Sequence, residues 1–198
     1  MDKKESLIKA LRSGLLCFFV LATAYPQTID LGQSVFYNDE GDIIIAADAG
    51  LAVRKLDSPY VMFMAYMVAR ANQSLSVHRD DVTMVYNGQE YKMPSLKELR
   101  EKYKGEMNDM NTYRRLGKEA LIFSKMKFYN FPTDSDFFPV LGTRSTLPVD
   151  EGSMANQIGF RTKLYFKNPG FKKGDQLVLR VHDRKNPELV GSVAVILQ

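Results

Sequence analysis

Cysteine is almost absent from this 198-residue chain, in which Cys17 is the only one. Cys17 lies inside an N-terminal segment with the features of an export signal, so no cysteine follows residue 24. An exported chain of this kind forms no internal disulfide and has neither a thiolate nucleophile nor a cysteine metal ligand. Its stability must come from an ordinary hydrophobic core, which a chain of about 174 residues can bury.

Histidine is nearly as scarce, since the chain contains only His78 and His182. A zinc site usually takes several histidine or cysteine ligands, so a metal here would have to be held mainly by carboxylates. A serine triad could use either histidine, but the sequence has no Gly-x-Ser-x-Gly elbow. We therefore predict no catalytic residues, no bound cofactor and no metal site.

The first 24 residues are predicted to be a secretory signal peptide that is removed. The apolar run 14–24 follows four basic residues, which are Lys3, Lys4, Lys9 and Arg12. This run is about half the length that a membrane-spanning helix needs, which argues against an uncleaved anchor. Ala22 and Ala24 form the small-x-small pattern that signal peptidase accepts, so cleavage is expected after Ala24. Lipidation of Cys17 is disfavoured because Leu16 stands where a small residue is needed.

The apparent basicity of the chain is partly that of this signal. The whole sequence has 27 basic and 23 acidic residues. The first 24 positions hold four of the basic and two of the acidic residues. Residues 25–198 therefore contain 23 basic and 21 acidic residues. A net charge so close to zero gives little support for nucleic-acid binding. The expected partner is a protein or another envelope component, and no transmembrane span is expected after cleavage.

Apolar patterning predicts a chain made mainly of β-strands. Residues 160–197 read as a three-stranded meander, with strands at 160–166, 177–182 and 193–197. Tyr60–Ala69 is apolar at both even and odd positions, which favours a central strand covered on both faces. The shorter runs 43–47 and 51–56 also lean towards strands. Asn87-Gly88 joins two further strand runs and is typical of a type I′ hairpin turn.

Two helices are predicted in the middle of the chain. Ser95 and Glu98 form a capping box, which indicates a helix starting at Leu96 and ending near residue 107. A second helix is expected from about Thr112 to Lys125. Between residues 96 and 127 there are nine basic and five acidic side chains. This outer face could meet an anionic partner such as lipid headgroups or a cell-wall polymer, although such patterns more often mark a solvated surface.

These elements together predict a mainly β fold. We expect residues 25–198 to form one antiparallel β-sandwich of seven to nine strands, Ig-like or C2-like in general shape. One or two helices are inserted at about 95–126. The alternative is an α+β domain in which the helices pack on one face of an antiparallel sheet.

A short C-terminal stretch, residues 177–183 with 188–191, is similar to part of a C2-type β-sandwich. Such domains bind calcium through several loop aspartates. Here Lys185 stands two residues after Asp183, where a second acidic ligand would be needed. The resemblance therefore implies a sandwich but no calcium site.

Three functions remain open. We favour a secreted or periplasmic, non-catalytic binding or accessory module of the cell envelope or exterior. The first alternative is a secreted hydrolase that uses two carboxylates. Its candidates are Asp134, Asp136, Asp175 and Asp183, and their spacing selects no pair. The second alternative is a carrier of an apolar ligand inside the sandwich.

The sequence also indicates where a working surface would lie. The aromatic loops at 128–141 and the helical insertion are the favoured places. His182, Asp183 and Arg184 cluster at a turn, but no second constellation converges on them. We therefore interpret this cluster as framework.

Overall fold

The structure, a computed structural model, describes residues 27–70, 73–132, 135–140 and 147–198. The predicted signal peptide and Asp134 lie outside the described residues. In chain order the strands are β1 (Ile29–Gly32), β2 (Val35–Asn38), β3 (Ile43–Asp48), β4 (Tyr60–Ala69), β5 (Ser74–His78), β6 (Val82–Tyr86), β7 (Gln89–Lys92), β8 (Ser135–Asp136), β9 (Leu147–Pro148), β10 (Glu151–Ala155), β11 (Phe160–Lys167), β12 (Gln176–His182) and β13 (Val190–Ile196). The helices are α1 (Gly50–Arg54), α2 (Leu96–Lys102), α3 (Glu106–Leu116) and α4 (Glu119–Lys125), and a 3₁₀ turn spans Arg79–Asp81. None of these described helices is long and apolar enough to cross a membrane.

Five antiparallel strands form the first sheet, in the order β1–β2–β3–β4–β11. Strand β4 lies between β3 and β11, and all ten of its residues are buried. This confirms that Tyr60–Ala69 is a strand covered on both faces. An apolar residue at every position is what such a strand needs, because neither of its sides meets solvent.

The second layer contains a sheet in the order β13–β12–β6–β7, with the pair β5–β10 beside it. The β6–β7 hairpin turns at Asn87 and Gly88, whose φ angles are +50° and +76°. A type I′ turn needs positive φ at both positions, so this part of the prediction is confirmed. A short parallel pair, β8 with β9, lies against β11.

The predicted C-terminal meander is wrong in its pairing, although its three strands exist. Strand β11 pairs with β4 in the first sheet, whereas β12 pairs with β13 and β6 in the second. The turn at Asn168-Pro169-Gly170 therefore carries the chain from one layer to the other. Alternation of apolar residues marks a strand, but it does not identify the neighbours with which that strand pairs.

The two layers face each other as a sandwich in which β13 packs against β2 and β3. Asn38 Nδ2 donates a hydrogen bond of 2.7 Å to the backbone oxygen of Ser192 across this contact. Large side chains between the layers, such as Phe36, Phe63 and Val193, are at most 1% exposed. These side chains therefore line no space that water could enter and form part of a closely packed core.

The helices cover the opposite face of the first sheet. Tyr66 on β4 donates to Glu119 Oε1 of α4 at 2.6 Å, and Tyr165 on β11 donates to Asp109 Oδ2 of α3 at 3.1 Å. The fold thus combines the two predicted arrangements. It is a mainly β antiparallel sandwich, and its helices also pack on one face of a sheet.

The helical region differs in detail from the prediction. Ser95 Oγ accepts a hydrogen bond of 3.0 Å from the Glu98 N–H, so Ser95 is confirmed as the N-cap. The Glu98 side chain accepts from Tyr60 and Lys102, so the second half of the predicted capping box is not what this carboxylate forms. The first helix ends earlier than expected, at Lys102, because Lys104 adopts a φ of +56° that breaks the helix. The expected second helix is divided into α3 and α4 because Gly117 is extended, with a ψ of 145°.

The predicted strand at 51–56 is wrong, since Gly50–Arg54 forms α1. Asp48 Oδ1 accepts a hydrogen bond of 2.8 Å from the Gly50 N–H, which turns the chain at the end of β3. Leu51 and Ala52 are buried neighbours in the helix. Two adjacent buried positions fit a short helix covered by other elements, and residue composition alone does not separate this from a buried strand.

Gly191 marks the closest approach of β13 to β3. A Cβ atom added there would lie 2.3 Å from the backbone oxygen of Ile43. Because backbone cannot move aside as a flexible side chain can, we expect Gly191→Ala to lower the free energy of unfolding by about 1–3 kcal/mol. Urea denaturation measures this change. Ser192→Ala on the same strand is the control, and equal stability of the two variants would show that the layers are not in close contact here.

Candidate functional site

Three of the four carboxylates proposed for a hydrolase, Asp136, Asp175 and Asp183, lie within the described residues, and each belongs to its own local network. Asp136 forms a buried ion pair with Lys163 and also accepts a hydrogen bond of 2.9 Å from the Thr162 hydroxyl. Asp175 accepts from the Tyr86 hydroxyl at 2.7 Å and from the backbone of the turn before it. Both carboxylates therefore serve the framework.

Asp183 also serves as a structural group. It is 4% exposed, and its carboxylate accepts hydrogen bonds of 2.7 to 3.0 Å from the backbone N–H groups of Ser76, Lys185 and Asn186. Burial by itself would raise the pKa of Asp183, but these three donors outweigh it and lower that pKa below its ordinary value. The side chain fixes the β12–β13 turn and joins it to β5.

The neighbours of Asp183 are directed towards a different carboxylate. Arg184 Nη1 lies 3.2 Å from Asp81 Oδ1, and His182 Nε2 lies 3.8 Å from the same oxygen. The interpretation of this turn as framework agrees with these contacts. Within the described residues, no group of three or more His, Cys, Asp or Glu side chains is placed to hold a metal ion.

The aromatic loops at 128–141 mostly contribute to the core. Phe131, Phe137 and Phe138 are buried, and the Phe138 ring lies edge-on to Tyr165 with 5.3 Å between centroids. Phe128 is different, because it is 71% exposed. The described part of these loops therefore mostly packs into the core and does not form the working surface expected there, whereas Phe128 is exposed.

A pocket of about 340 Å³ lies beside the first sheet, where α1 meets the turn between α3 and α4. This is within the range of small-molecule sites in proteins. We call it the Asp48 pocket. Its lining residues are Gln33, Ser34, Asp48, Gly50, Leu51, Val53, Arg54, Tyr113, Leu116, Gly117, Lys118 and Gln198.

Asp48 lies at the end of β3 and is 2% exposed. Its Oδ1 accepts from the Gly50 N–H at 2.8 Å and its Oδ2 from the Lys118 N–H at 2.9 Å. Burial raises the pKa of Asp48, and the two backbone donors partly oppose that rise. This carboxylate therefore holds two walls of the pocket together, joining α1 to the α3–α4 turn.

Tyr113 supplies a polar atom that the protein itself leaves unsatisfied. Its side chain is buried, and within the described ranges its hydroxyl makes no hydrogen bond of normal geometry, although Tyr66 lies beside it. A Cβ on Gly117 would lie 2.7 Å from Tyr113 Cζ, so glycine leaves room for the hydroxyl end of the ring. Burial raises the pKa of Tyr113, which keeps the phenol neutral. An unsatisfied buried hydroxyl costs about 1–3 kcal/mol.

The remaining lining of the pocket is mixed, and it includes the polar residues Gln33, Ser34 and Gln198. Leu51, Val53 and Leu116 supply the apolar surface, and Arg54 and Lys118 supply the cations. Neither cation has a carboxylate within ion-pair distance in the part of the chain that the structure describes. The pocket therefore combines cationic groups, polar side chains, a buried tyrosine and apolar contact surface.

A substitution pair tests whether the Tyr113 hydroxyl is free. Tyr113→Phe should leave the free energy of unfolding unchanged or raise it by up to about 1 kcal/mol, since no hydrogen bond is lost. Tyr165→Phe is the matched control, because its hydroxyl donates to the buried Asp109 carboxylate at 3.1 Å. That variant should lose about 1.5–3 kcal/mol. Equal losses in urea denaturation would mean that the Tyr113 hydroxyl has a structural partner.

Sequence reasoning missed this pocket. In the sequence, Asp48 follows the predicted strand run 43–47, and Tyr113 lies in the predicted second helix. Positions 48 and 113 meet only through the packing of α3 on the sheet. No family model, curated protein or solved structure matches the chain. Its function must therefore be argued from the geometry of its own residues.

Proposed function

We propose that the protein is an exported, non-catalytic binding or accessory module of the cell envelope or exterior, and that the Asp48 pocket is its binding site. The observation that carries this proposal is a pocket of about 340 Å³ in which Arg54 and Lys118 adjoin apolar side chains and the buried Tyr113 forms part of the wall. Within the described residues the Tyr113 hydroxyl makes no hydrogen bond of normal geometry, and a bound molecule that reached it and accepted from it would recover the free energy that an unsatisfied hydroxyl costs.

The lining indicates the chemistry of the bound molecule. The guanidinium of Arg54 and the ammonium of Lys118 attract a carboxylate or another anionic oxygen. Leu51, Val53 and Leu116 favour a short apolar portion next to that group. We therefore propose a small organic acid as the ligand, with Tyr113 donating to one of its oxygens.

A binding role agrees better with the carboxylates than hydrolysis does. A hydrolase with two acids needs a pair that faces one cleft. Asp136, Asp175 and Asp183 instead accept hydrogen bonds from their own surroundings. Asp48 lines the pocket, but each of its oxygens already accepts from a backbone N–H. The described side chains between the layers are closely buried, which gives no support to an apolar carrier.

Capture from an envelope extract tests the pocket. The protein is incubated with the small-molecule fraction of the envelope of the cell that makes it, desalted, and examined by native mass spectrometry. Wild-type protein should retain an organic acid. Val53→Phe, which fills the pocket, should retain none, whereas Val190→Phe at an exposed position of β13 should behave as wild type. Equal retention by both variants, or none by the wild type, would contradict the proposal.

Export is tested separately by intact mass. We predict a mature form that lacks residues 1–24 and begins at Tyr25. A mass that retains those residues would show that Ala22 and Ala24 do not direct cleavage. This outcome would leave the capture experiment unaffected, so the two parts of the proposal can fail independently.

A further inference from the structure

A group of exposed apolar and basic side chains lies around the end of α4. Phe128 is 71% exposed and Phe123 is 38% exposed, and both lie on the surface with Lys125 and Lys127. The Lys127 ammonium is 4.9 Å from the centroid of the Phe128 ring, so the two side chains point in the same direction. We call these four residues the α4 patch.

A neighbouring turn extends the apolar part of this surface. Asn130 donates to the Gln157 carbonyl and accepts from the Gly159 N–H, both at 2.8 Å. These bonds bring the turn that contains Ile158, which is 52% exposed, to the segment just after Phe128. Two neighbouring segments therefore each carry a large exposed apolar side chain, Phe128 on one and Ile158 on the other.

The charge of the helical insertion, residues 96–127, is uneven once its ion pairs are considered. Each of its five acidic residues has a basic partner: Glu98 pairs with Lys102, Glu101 with Lys97, Glu106 with Arg100, Asp109 with Lys55 and Glu119 with Arg161. Among the residues described, six cations of the insertion have no carboxylate within ion-pair distance. They are Lys104, Arg114, Arg115, Lys118, Lys125 and Lys127.

We propose that the α4 patch docks on the surface of an anionic lipid bilayer. Phe128 enters the headgroup region, while Lys125 and Lys127 contact lipid phosphates. Aromatic side chains partition favourably into this interface, and each lysine held near an anionic membrane adds to the attraction. The other cations of the insertion orient the protein with its helical face towards the negative surface.

The composition of the patch favours lipid over a protein partner. Lysine is depleted in protein–protein interfaces, whereas lysine next to an exposed aromatic ring is typical of membrane-surface segments. Phe128 also projects as a single exposed ring, and a fluid bilayer can close around such a ring without a preformed pocket. The inference does not depend on the Asp48 pocket. Of the six cations of the insertion, Lys118 is the one that also lines that pocket.

A tryptophan reporter tests the inference, because the chain contains no tryptophan. In the full-length Phe128→Trp protein, vesicles of phosphatidylglycerol and phosphatidylcholine should shift the emission to the blue, and brominated lipid should quench it. Vesicles of phosphatidylcholine alone should have a much smaller effect. Adding Lys125→Gln or Lys127→Gln should weaken binding about fivefold each, and raising the salt concentration should weaken it further.

The control reporter is Gln89→Trp, at an exposed position of β7 in the other layer. Both reporters carry the same N-terminal segment, so any contribution of that segment to vesicle binding is shared. Quenching at position 128 without quenching at position 89 is the expected result. No quenching at position 128, or equal quenching at both positions, would overturn the proposal and leave the patch to a protein partner or to solvent.

Discussion

Replacing Asp136 by alanine should lower the free energy of unfolding by about 3–5 kcal/mol, because it leaves the Lys163 ammonium buried without its partner. Lys163 is 4% exposed and Asp136 is 7% exposed. The same carboxylate accepts from the Thr162 hydroxyl at 2.9 Å and from the Phe138 N–H at 3.0 Å. The Lys163 N–H also donates to it at 3.3 Å, so its loss removes a charge partner and three further hydrogen bonds at the edge of β11.

Urea denaturation with two comparison variants tests this prediction. The double variant Asp136→Leu with Lys163→Met removes both charges and should recover most of the loss, since an apolar pair of similar volume often replaces a buried ion pair at little cost. Glu90→Ala breaks an exposed pair with Arg180 and should change stability by less than about 1 kcal/mol. If Asp136→Ala is no more destabilising than Glu90→Ala, the pair is not buried as the structure describes.

Replacing Asp109 by alanine is expected to have the second-largest effect, a loss of about 2–4 kcal/mol. Asp109 is 1% exposed, and its Oδ1 accepts from Lys55 Nζ at 2.5 Å and from the Tyr103 hydroxyl at 3.0 Å. Its Oδ2 accepts from the Tyr165 hydroxyl at 3.1 Å. The loss should be smaller than at Asp136, because the Lys55 side chain is 25% exposed and can reach water.

Hydrogen exchange distinguishes the expected mechanism from general destabilisation. Asp109 lies on α3, and its partner Tyr165 lies on β11, so the contact fastens the helix to the first sheet. Backbone amides of α3 should lose protection in Asp109→Ala more than those of β12 and β13, which lie in the other layer. A uniform loss of protection through both layers would mean that Asp109 does not act locally on α3.

Local signals in the sequence predicted much of the framework. The continuous apolar run Tyr60–Ala69 identified a strand buried on both faces, because neither its even nor its odd positions contain a charged side chain. Asn87-Gly88 specifies a hairpin turn and Ser95 a helix N-cap through neighbouring residues, and both are confirmed. Such features need no knowledge of the rest of the fold.

The features that were missed depend on contacts between distant segments. Lys163 was counted in a strand with no indication that Asp136 would neutralise it inside the protein. Likewise, nothing near Tyr113 in the sequence shows that its hydroxyl would be buried without a partner. A hydrogen bond that is absent has no local sequence signature, so this pocket could be found only from the packed structure.

Crystals of the protein soaked in the small-molecule fraction of the envelope extract would test the binding role of the Asp48 pocket most directly. We predict difference density for an organic acid in the pocket, with one of its oxygens within hydrogen-bonding distance of Tyr113 Oη and an anionic group near Arg54 or Lys118. Density for a ligand at another place on the protein, with none beside Tyr113, would contradict the binding role that we assign to this pocket.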